Sequence, residues 1–242
     1  MATIGALVLH GFTSSLDTVN ALSPHLEKAG IPYRMPLLRG HGQTPEALRG
    51  VKARDWVDDA ASALADLLRE ADKAIVIGLS MGGLVGLTLA IEQPDRLAGL
   101  VTVAAAMRWV NPLAPFCGLL SFVLPRFASP KPPSYENYVC TNYTWFPTKT
   151  FVELYYFGRE IEASLSEVKV PLLVMGSERD TIIQPEASWI IYQRTGSTNK
   201  EIRMFQKTGH EMMQGCEKEE VFAAIMTFIE SRRSDVIVPQ VG

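Results

Sequence analysis

Apolar and polar positions along this chain follow two alternating patterns, continuous apolar runs and segments with a helical period. Apolar runs of roughly four to eight residues rich in Val, Ile and Leu are typical of strands buried on both faces of a sheet. They predict strands at residues 4–9, 31–35, 74–79, 97–104, 170–176 and 201–205. Apolar residues spaced three or four positions apart predict helices at residues 18–29, 55–68, 84–90, 185–194 and 218–231. Strands that alternate with helices in this way predict the α/β class, with a mainly parallel sheet flanked by helices on both faces.

The alternation stops near residue 105 and resumes near residue 166. Residues 106–165 are rich in aromatic residues, and prolines at positions 112, 115, 125, 130, 132 and 133 break them into short pieces. We therefore predict a core made of residues 1–105 and 166–242, interrupted by an inserted cap at residues 106–165, hereafter the cap segment.

Composition narrows the class of protein. Of the 242 residues, 47% are hydrophobic and 20% are charged, which is ordinary for a globular chain, and the net charge of −3 comes without a cluster of Lys or Arg. We expect no nucleic-acid partner. Cys117, Cys140 and Cys216 are widely spaced and are interpreted as reduced thiols. The chain shows no signal-peptide pattern and no apolar stretch of membrane-spanning length, so a cytoplasmic protein without stable membrane insertion is expected. For its oligomeric state, we expect a monomer or a homodimer.

One motif lies between a predicted strand and a predicted helix. Residues 78–82 read Gly-Leu-Ser-Met-Gly and fit the G-x-S-x-G nucleophile elbow, in which a sharp turn exposes the central serine. The glycines leave room for the turn and for close packing of the helix. The pattern therefore predicts Ser80 as a nucleophile.

A serine hydroxyl needs a base to take its proton and a third group to orient that base. Of the four histidines, His210 fits best, because it follows the predicted strand 201–205 late in the chain. Glu178 and Asp180 both follow the strand before it; we prefer Asp180, which lies where the loop bends toward the next helix, and keep Glu178 as the alternative. The order Ser80, Asp180, His210 is the one expected of an α/β-hydrolase triad.

Acyl transfer also requires donors for the oxyanion that forms on the attacked carbonyl group. One predicted donor is the backbone N–H of Met81, the residue after the serine. The second is the backbone N–H of Phe12, in the loop that follows the first strand. These two amides are the predicted oxyanion hole.

Four stretches of the sequence resemble the α/β-hydrolase superfamily. Within it, the loop at residues 38–42 and the compact cap resemble the bacterial carboxylesterase and monoacylglycerol lipase family. The resemblance runs from residue 4 to about residue 229, the cap excepted, and implies Ser80, Asp180 and His210 as nucleophile, acid and base, with the Phe12 and Met81 amides as oxyanion hole. The stretches are Leu9-His10-Gly11-Phe12, Arg39-Gly40-His41-Gly42, Gly78-Leu79-Ser80-Met81-Gly82-Gly83 and Thr208-Gly209-His210.

Two further expectations follow from the resemblance. The Gly-His-Gly loop around His41 shapes the rim of the site in this family, so His41 is expected to be structural. Trp56 and Asp59 are interpreted as residues that hold a helix to that loop. Because the sequence begins just before the strand that carries His10, the first strands of larger members are expected to be missing from the sheet.

The cap segment suggests an apolar pocket. Residues 113–124 are strongly apolar and form either a lid over an acyl-chain pocket or a segment packed on the core. A second cap helix at residues 151–165 is predicted to carry an apolar stripe that closes over the serine. Aromatic residues with polar tips are candidates to contact the alcohol of an ester: Tyr135, Tyr138, Tyr143 and Trp145.

These residues predict a serine carboxylesterase for short- to medium-chain esters, monoacylglycerols among them, whose partner is a small neutral ester. The chemistry needs neither a metal nor an organic cofactor. Alternatives with the same machinery are hydrolysis of carbon–carbon bonds, lactones or amides, and perhydrolase activity. A ligand-binding protein that has lost turnover is a different class, against which the intact serine, acid and histidine argue.

Overall fold

The computed structural model describes residues 3–130 and 142–235, and a six-stranded parallel sheet lies at its centre. The strands in the order β2-β1-β3-β4-β7-β8 pair in parallel, and β5 and β6 form a separate antiparallel ribbon. The strands are β1 (Ile4–Leu9), β2 (Tyr33–Arg34), β3 (Lys73–Leu79), β4 (Leu97–Val103), β5 (Arg126–Ala128), β6 (Trp145–Pro147), β7 (Leu172–Ser177) and β8 (Lys200–Phe205). The predicted α/β fold is confirmed.

Helices cover both faces of the sheet. The α-helices are α1 (Ser23–Lys28), α2 (Ala53–Leu67), α3 (Met81–Glu92), α4 (Cys117–Leu120), α5 (Thr148–Ser164), α6 (Glu186–Arg194) and α7 (Lys218–Asp235). Short 3-10 helices are Leu16–Thr18, Asn20–Leu22, Pro45–Leu48, Pro94–Arg96, Ala114–Phe116 and Leu165–Glu167. On one face, α1 and α7 pack in one apolar cluster with Val8 and Ile77; on the other, α2 and α3 pack in a second cluster with Leu9 and Val76. Adjacent strand residues face opposite sides of the sheet, so each strand contributes to both clusters.

The central strands lie where their apolar runs predict them. β1 has the predicted bounds, and β4 and β8 differ from prediction by one residue at one end. The second strand is shorter than predicted, because only Tyr33 and Arg34 pair with β1. It is an edge strand that pairs with β1 alone.

The prediction of one helix over residues 18–29 is wrong. Two 3-10 turns occupy Leu16–Thr18 and Asn20–Leu22, and α1 begins at Ser23. Pro24 explains the late start, since a proline without an N–H group is accommodated in the first turn of a helix and not in its interior.

Each alternative considered for the apolar segment at residues 113–124 holds only at its beginning, where Leu113 and Ala114 line the cavity described below and Ala114 and Cys117 are buried. Leu119, Phe122 and Val123 are 71%, 87% and 73% exposed, so most of the segment neither lines a pocket nor packs on the core.

The second cap helix, α5, packs against the core. A Cβ atom on Gly158 would lie 3.0 Å from the Ala106 carbonyl oxygen and 3.6 Å from a methyl carbon of Leu84 on α3. The predicted apolar stripe therefore contacts α3 and does not close over the serine. The division into a core and a cap segment stays a prediction.

Two smaller expectations concern thiols and membranes. Cys117 and Cys216 are free cysteines, whereas Cys140 lies outside the described residues. Within residues 3–130 and 142–235, every helix is too short or too polar to cross a bilayer.

Candidate active site

Ser80 occupies a strained turn between β3 and α3. β3 ends at Leu79 and α3 begins at Met81, so one residue makes the whole turn, with φ 53° and ψ −113°. A positive φ is unfavourable for a residue with a side chain and persists only where the surroundings hold it. The Ser80 N–H donates to the Val103 carbonyl at 2.8 Å, and its carbonyl accepts from the Ala106 N–H at 3.2 Å.

Two glycines of the elbow allow backbones to touch. A Cβ atom on Gly78 would lie 2.2 Å from the Gly82 carbonyl oxygen. One on Gly82 would lie 2.4 Å from the Leu9 carbonyl oxygen at the end of β1. Such distances exclude any side chain unless the backbone shifts, so both glycines are required for the close approach of α3 to β1 and β3.

The structure brings together the three residues predicted as a triad. The Ser80 Oγ and His210 Nε2 atoms are 2.9 Å apart, and His210 Nδ1 is 2.7 Å from Asp180 Oδ2. A carboxylate can only accept, so Nδ1 carries the hydrogen and Nε2 is left to accept the serine proton. All three side chains are largely buried, whereas Glu178, the alternative acid, is exposed to solvent.

The loop after β7 fixes the acid in turn. Asp180 Oδ1 accepts hydrogen bonds from the backbone N–H groups of Ile182 and Ile183, both at 2.8 Å. With Oδ2 bound to His210, both oxygens of the carboxylate have partners. A carboxylate so held orients the imidazole and stabilises its positive charge when the ring takes a proton.

Glu217 holds the loop that carries His210. Its carboxylate accepts from the N–H groups of Lys207 and Thr208, both at 2.8 Å. Partial burial opposes ionisation, but these backbone hydrogen bonds prevail and lower the pKa of Glu217. On the other side, Ser177 Oγ donates to the Thr208 carbonyl at 2.5 Å. The histidine loop is thereby tied to β7 and to the start of α7.

The two predicted oxyanion donors lie beside the serine. Met81 is the first residue of α3, and Phe12 follows Gly11, where an added Cβ atom would be 3.4 Å from the Ser80 Cβ. Neither backbone N–H donates to an acceptor in the part of the chain that the structure describes. Both remain available to a ligand, and the N-terminus of α3 favours negative charge at this point.

His10 and His41 lie behind the site and are neutral. Burial lowers the pKa of His10 to about 4, and burial together with the nearby His10 lowers the pKa of His41 to about 3. His10 Nε2 accepts from the Leu38 N–H at 3.1 Å, and His41 Nδ1 donates to the Leu38 carbonyl at the same distance. These contacts agree with the structural role expected of His41.

The N-terminal part of α2 holds the loop at residues 38–42. Trp56 Nε1 donates to the Arg39 carbonyl at 3.1 Å, and Asp59 accepts from the backbone and side chain of Arg39 at 2.7 and 2.8 Å. This agrees with the interpretation of both residues as supports of the loop.

A cavity of about 510 Å³ opens beside Ser80 and His210. Among the described residues that line it, neither Lys nor Arg is present, and Glu211 is the one acidic residue. Five Phe and Trp residues are part of its apolar wall: Phe12, Trp109, Phe127, Phe146 and Phe151. Five neutral polar residues also line it: Thr13, Asn111, Ser129, Asn142 and Thr181.

The aromatic residues predicted to contact the alcohol do not line this cavity where they are described. The Tyr143 hydroxyl donates to the Gly40 carbonyl at 3.0 Å and accepts from the Gln43 N–H at 2.9 Å. Trp145 stacks against Arg126 outside the cavity. Tyr135 and Tyr138 lie outside the described residues.

The rim of the cavity is hydrogen-bonded to the loop that carries Asp180. The Val110 N–H donates to the Ile182 carbonyl at 2.9 Å, and the Gln184 N–H donates to the Arg108 carbonyl at 2.8 Å. Trp109 and Ile183 lie between these bonds as an antiparallel bridge. Residues 108–110 and 182–184 therefore form one short ribbon, hereafter the rim ribbon.

Comparison with known proteins identifies the family to which this chain belongs. The model of the serine aminopeptidase, S33 family matches residues 5–146 and 133–218, which together cover most of the chain. A thermostable monoacylglycerol lipase from Bacillus sp. (strain H-257) is 30% identical over 212 residues, 86% of this chain and 82% of that protein. The chain belongs to the S33 family. The resemblance predicted from its motifs is confirmed.

Two other relatives are similar to this chain over more than nine-tenths of its length. A carboxylesterase from Bacillus subtilis (strain 168) is 26% identical over 93% of this chain and 91% of its own. A solved structure of metagenome-derived lipolytic enzymes, LipS and LipT, superimposes with a TM-score of 0.89 at 29% identity, over 96% of this chain and 95% of that one. The likeness therefore includes the cap segment as well as the core of the S33 fold.

Among the described residues of this S33 chain, no group of three or more His, Cys, Asp or Glu side chains is arranged to hold a metal ion.

Sequence reasoning missed Glu211, which lines the cavity directly after His210. Its position beside the predicted base was the only signal, because a single acid in a loop has no pattern.

Proposed function

We propose that this protein is a serine carboxylesterase in which Ser80, His210 and Asp180 are nucleophile, base and orienting acid. One observation carries the proposal: the hydrogen-bonded row from Ser80 Oγ through His210 to Asp180, at 2.9 and 2.7 Å, ends in the cavity. Esterase- and lipase-type activity of an α/β-hydrolase is also what the names of the relatives describe.

The proposed reaction has two halves. Ser80 Oγ attacks the ester carbonyl while His210 Nε2 takes its proton, and the Phe12 and Met81 amides donate to the oxyanion. The protonated imidazole, stabilised by Asp180, gives its proton to the leaving alcohol, and an acyl-enzyme remains. Water, deprotonated by His210, then attacks the acyl group, and the acid leaves as Ser80 regains its proton.

Short- to medium-chain neutral esters, monoacylglycerols among them, are the proposed substrates. A cavity of about 510 Å³ lies within the usual range for small-molecule sites. Its aromatic wall suits an acyl chain, and the described part of the lining contains neither Lys nor Arg to pair with an anionic substrate. The monoacylglycerol lipase named above is consistent with this choice.

The test is hydrolysis of p-nitrophenyl esters from acetate to palmitate. We expect kcat/KM to peak at short or medium chains and to fall at least about 10⁴-fold in Ser80→Ala. Ser121→Ala, a change of the same kind in the cap segment and away from the cavity, is the matched control. Signal that persists in Ser80→Ala would contradict the proposal.

Two other readouts separate the alternatives. An organophosphate should label Ser80 covalently and stop ester hydrolysis. Labelling without turnover of any ester would favour lactone, amide, carbon–carbon or peracid chemistry. Hydrolysis of amino-acid p-nitroanilides tests separately for the aminopeptidase activity that the family name describes. Absence of both labelling and turnover would favour a ligand-binding protein.

A further inference from the structure

Glu211 is an acidic side chain in the cavity that the proposed reaction does not use. It is 8% exposed, and it directly follows His210 in the chain. A carboxylate is costly to bury unless hydrogen-bond donors surround it. A charged acceptor among described lining residues that are otherwise neutral therefore calls for a donor.

The cap segment fixes one oxygen of this carboxylate. Asn142 Nδ2 donates to Glu211 Oε1 at 2.9 Å, and because a carboxylate only accepts, the orientation of the amide is determined. The next residue, Tyr143, donates its N–H to the Thr13 carbonyl at 2.9 Å. Residues 142 and 143 thus connect the histidine loop to the loop that carries Phe12, and Glu211 is held in place.

The other oxygen is available. Glu211 Oε2 has no hydrogen-bond partner among the described residues. It is also not one of their polar atoms that are buried from solvent without a partner. A carboxylate has about four acceptor positions, and the Asn142 amide fills one of them. The free oxygen is open to a donor that enters the cavity.

Glu211 lies on the alcohol side of the proposed reaction centre. His210 Nε2 gives its proton to the leaving alcohol, so that alcohol must lie next to the histidine. Glu211 directly follows His210 in the chain, and both residues line the cavity that the alcohol must occupy. The Phe12 and Met81 amides, by contrast, mark where the carbonyl oxygen binds.

We propose that Glu211, held by Asn142, binds a hydroxyl group of the ester's alcohol part, so that esters of polyhydroxy alcohols are preferred over those of simple alcohols. The inference rests on the proposed ester hydrolysis and names its alcohol. The remaining polar lining supports a neutral polyol, since Thr13, Asn111 and Thr181 can both donate and accept.

The experiment compares two esters with the same acyl chain, glyceryl monobutyrate and ethyl butyrate. In Glu211→Gln, which keeps the shape and removes the charge, the ratio of kcat/KM for the glyceryl ester to that for the ethyl ester should fall about fivefold, because a charged hydrogen bond becomes a neutral one. The loss should appear mainly in KM. Glu178→Gln, at an exposed acid, is the matched control and should leave the ratio unchanged.

Three outcomes would overturn this assignment. An unchanged ratio in Glu211→Gln would mean that the carboxylate does not bind the alcohol. An equal loss for both esters would mean that Glu211 supports His210 and not the substrate. A larger loss for butyrylcholine than for glyceryl monobutyrate would mean that the site binds a cation.

A binding measurement separates this inference from the proposed function. Calorimetry with the Ser80→Ala protein should show glyceryl monobutyrate binding that weakens about fivefold when Glu211→Gln is added. Glu211-dependent binding without turnover by the unmodified enzyme would sink the esterase proposal and leave the hydroxyl site standing. Turnover by the unmodified enzyme, together with binding that does not depend on Glu211, would support the esterase proposal and overturn the hydroxyl site.

Discussion

Backbone strain in this protein is concentrated around one point. Among the described residues, Thr13, Ser80 and Ala104 are the non-glycine residues with positive φ, at 64°, 53° and 47°. Thr13 and Ser80 line the cavity, and Ala104 follows β4 beside them. Such conformations cost on the order of 1–3 kcal/mol each and persist where hydrogen bonds hold them. The Ala104 N–H, for example, donates to the Met175 carbonyl at 2.9 Å.

Gly82→Ala tests the close packing beneath the serine. Its Cβ atom would lie 2.4 Å from the Leu9 carbonyl oxygen, so α3 must move away from β1. We expect a loss of about 3 kcal/mol in the free energy of unfolding and a strong loss of esterase activity. Urea unfolding measures the first, and p-nitrophenyl butyrate hydrolysis the second.

Gly118→Ala is the matched control for that change. A Cβ atom there would meet only the Tyr156 hydroxyl, at an ordinary 3.4 Å. We expect it to change the free energy of unfolding by less than about 1 kcal/mol. Equal effects at both glycines would contradict the packing argument.

His10 and His41 should make the fold sensitive to acid. Their pKa values are lowered to about 4 and about 3, so the unfolded chain takes up protons below pH 6.5 that the buried rings do not. Stability is therefore complete above pH 6.5 and declines as the pH falls toward 4, by about 3 kcal/mol for His10. Urea unfolding at pH 7 and pH 4.5 measures the decline.

His41→Gln should flatten part of this decline, although it lowers stability at pH 7 through lost contacts. His25→Gln, at a half-exposed ring on α1, is the control and should keep the full slope. A His41→Gln protein that declines as steeply as the unmodified one would mean that His41 does not contribute to the acid sensitivity.

Single residues of the site were predictable where chemistry fixes their order in the chain. Ser80 lies in a motif whose glycines are required by backbone contact, and Asp180 and His210 follow strands in the expected sequence. Glu211 was not predictable, because its importance depends on where Asn142 lies, 69 residues away.

At the scale of elements, one buried carboxylate joins three parts of the molecule. Glu162 on α5 is 6% exposed and pairs with Arg108 near the rim, Arg159 on its own helix and Arg194 at the end of α6. The three guanidinium groups are each at least one-third exposed, which weakens every pair. Together they fix α5 against α6 and the start of the cap segment.

Glu162→Ala should lower stability by about 2–3 kcal/mol, because three arginines lose their shared partner. For a chain of this size that corresponds to a fall in Tm of roughly 5–10 °C. Glu160→Ala, at an exposed acid on the same helix, should shift Tm by less than about 2 °C. A Tm unchanged in Glu162→Ala would show that the cluster is fully screened by solvent.

The central strands of the core were predictable because both of their faces are buried against apolar residues. β1, β3 and β4 are apolar on both faces, so their runs are continuous and their bounds visible. The cap segment is not uniformly buried in this way. The apolar residues of α5 indicate a buried face without indicating its partners, which are α3 at Gly158 and the cavity at Phe151.

At the scale of the whole molecule, strand order places the site. The chain runs from β1 outward to β2, then returns to β3 on the other side of β1. Loops on either side of such a reversal diverge and leave a crevice at the carboxyl ends of the strands. Phe12 and Ser80 lie in that crevice, at the ends of β1 and β3.

The exposed apolar surface at Leu119 and Phe122 gives a prediction at the same scale. Because both side chains are more than two-thirds exposed, changing both to Ser should cost less than about 1 kcal/mol. Fewer exposed apolar side chains should also raise the ammonium sulfate concentration needed for precipitation. Leu154→Ser, at a fully buried position on α5, is the control and should destabilise by more than about 3 kcal/mol. A double variant as unstable as this control would mean that the surface is covered.

The rim ribbon has a consequence for engineering. Because residues 108–110 bond to residues 182–184, a cap exchanged from residue 106 onward would also replace half of the support of Asp180. A graft that begins at Asn111 keeps the native ribbon, and with it the position of the acid. We therefore propose Asn111 as the exchange point for such a graft, about five residues later than the change in sequence pattern indicates.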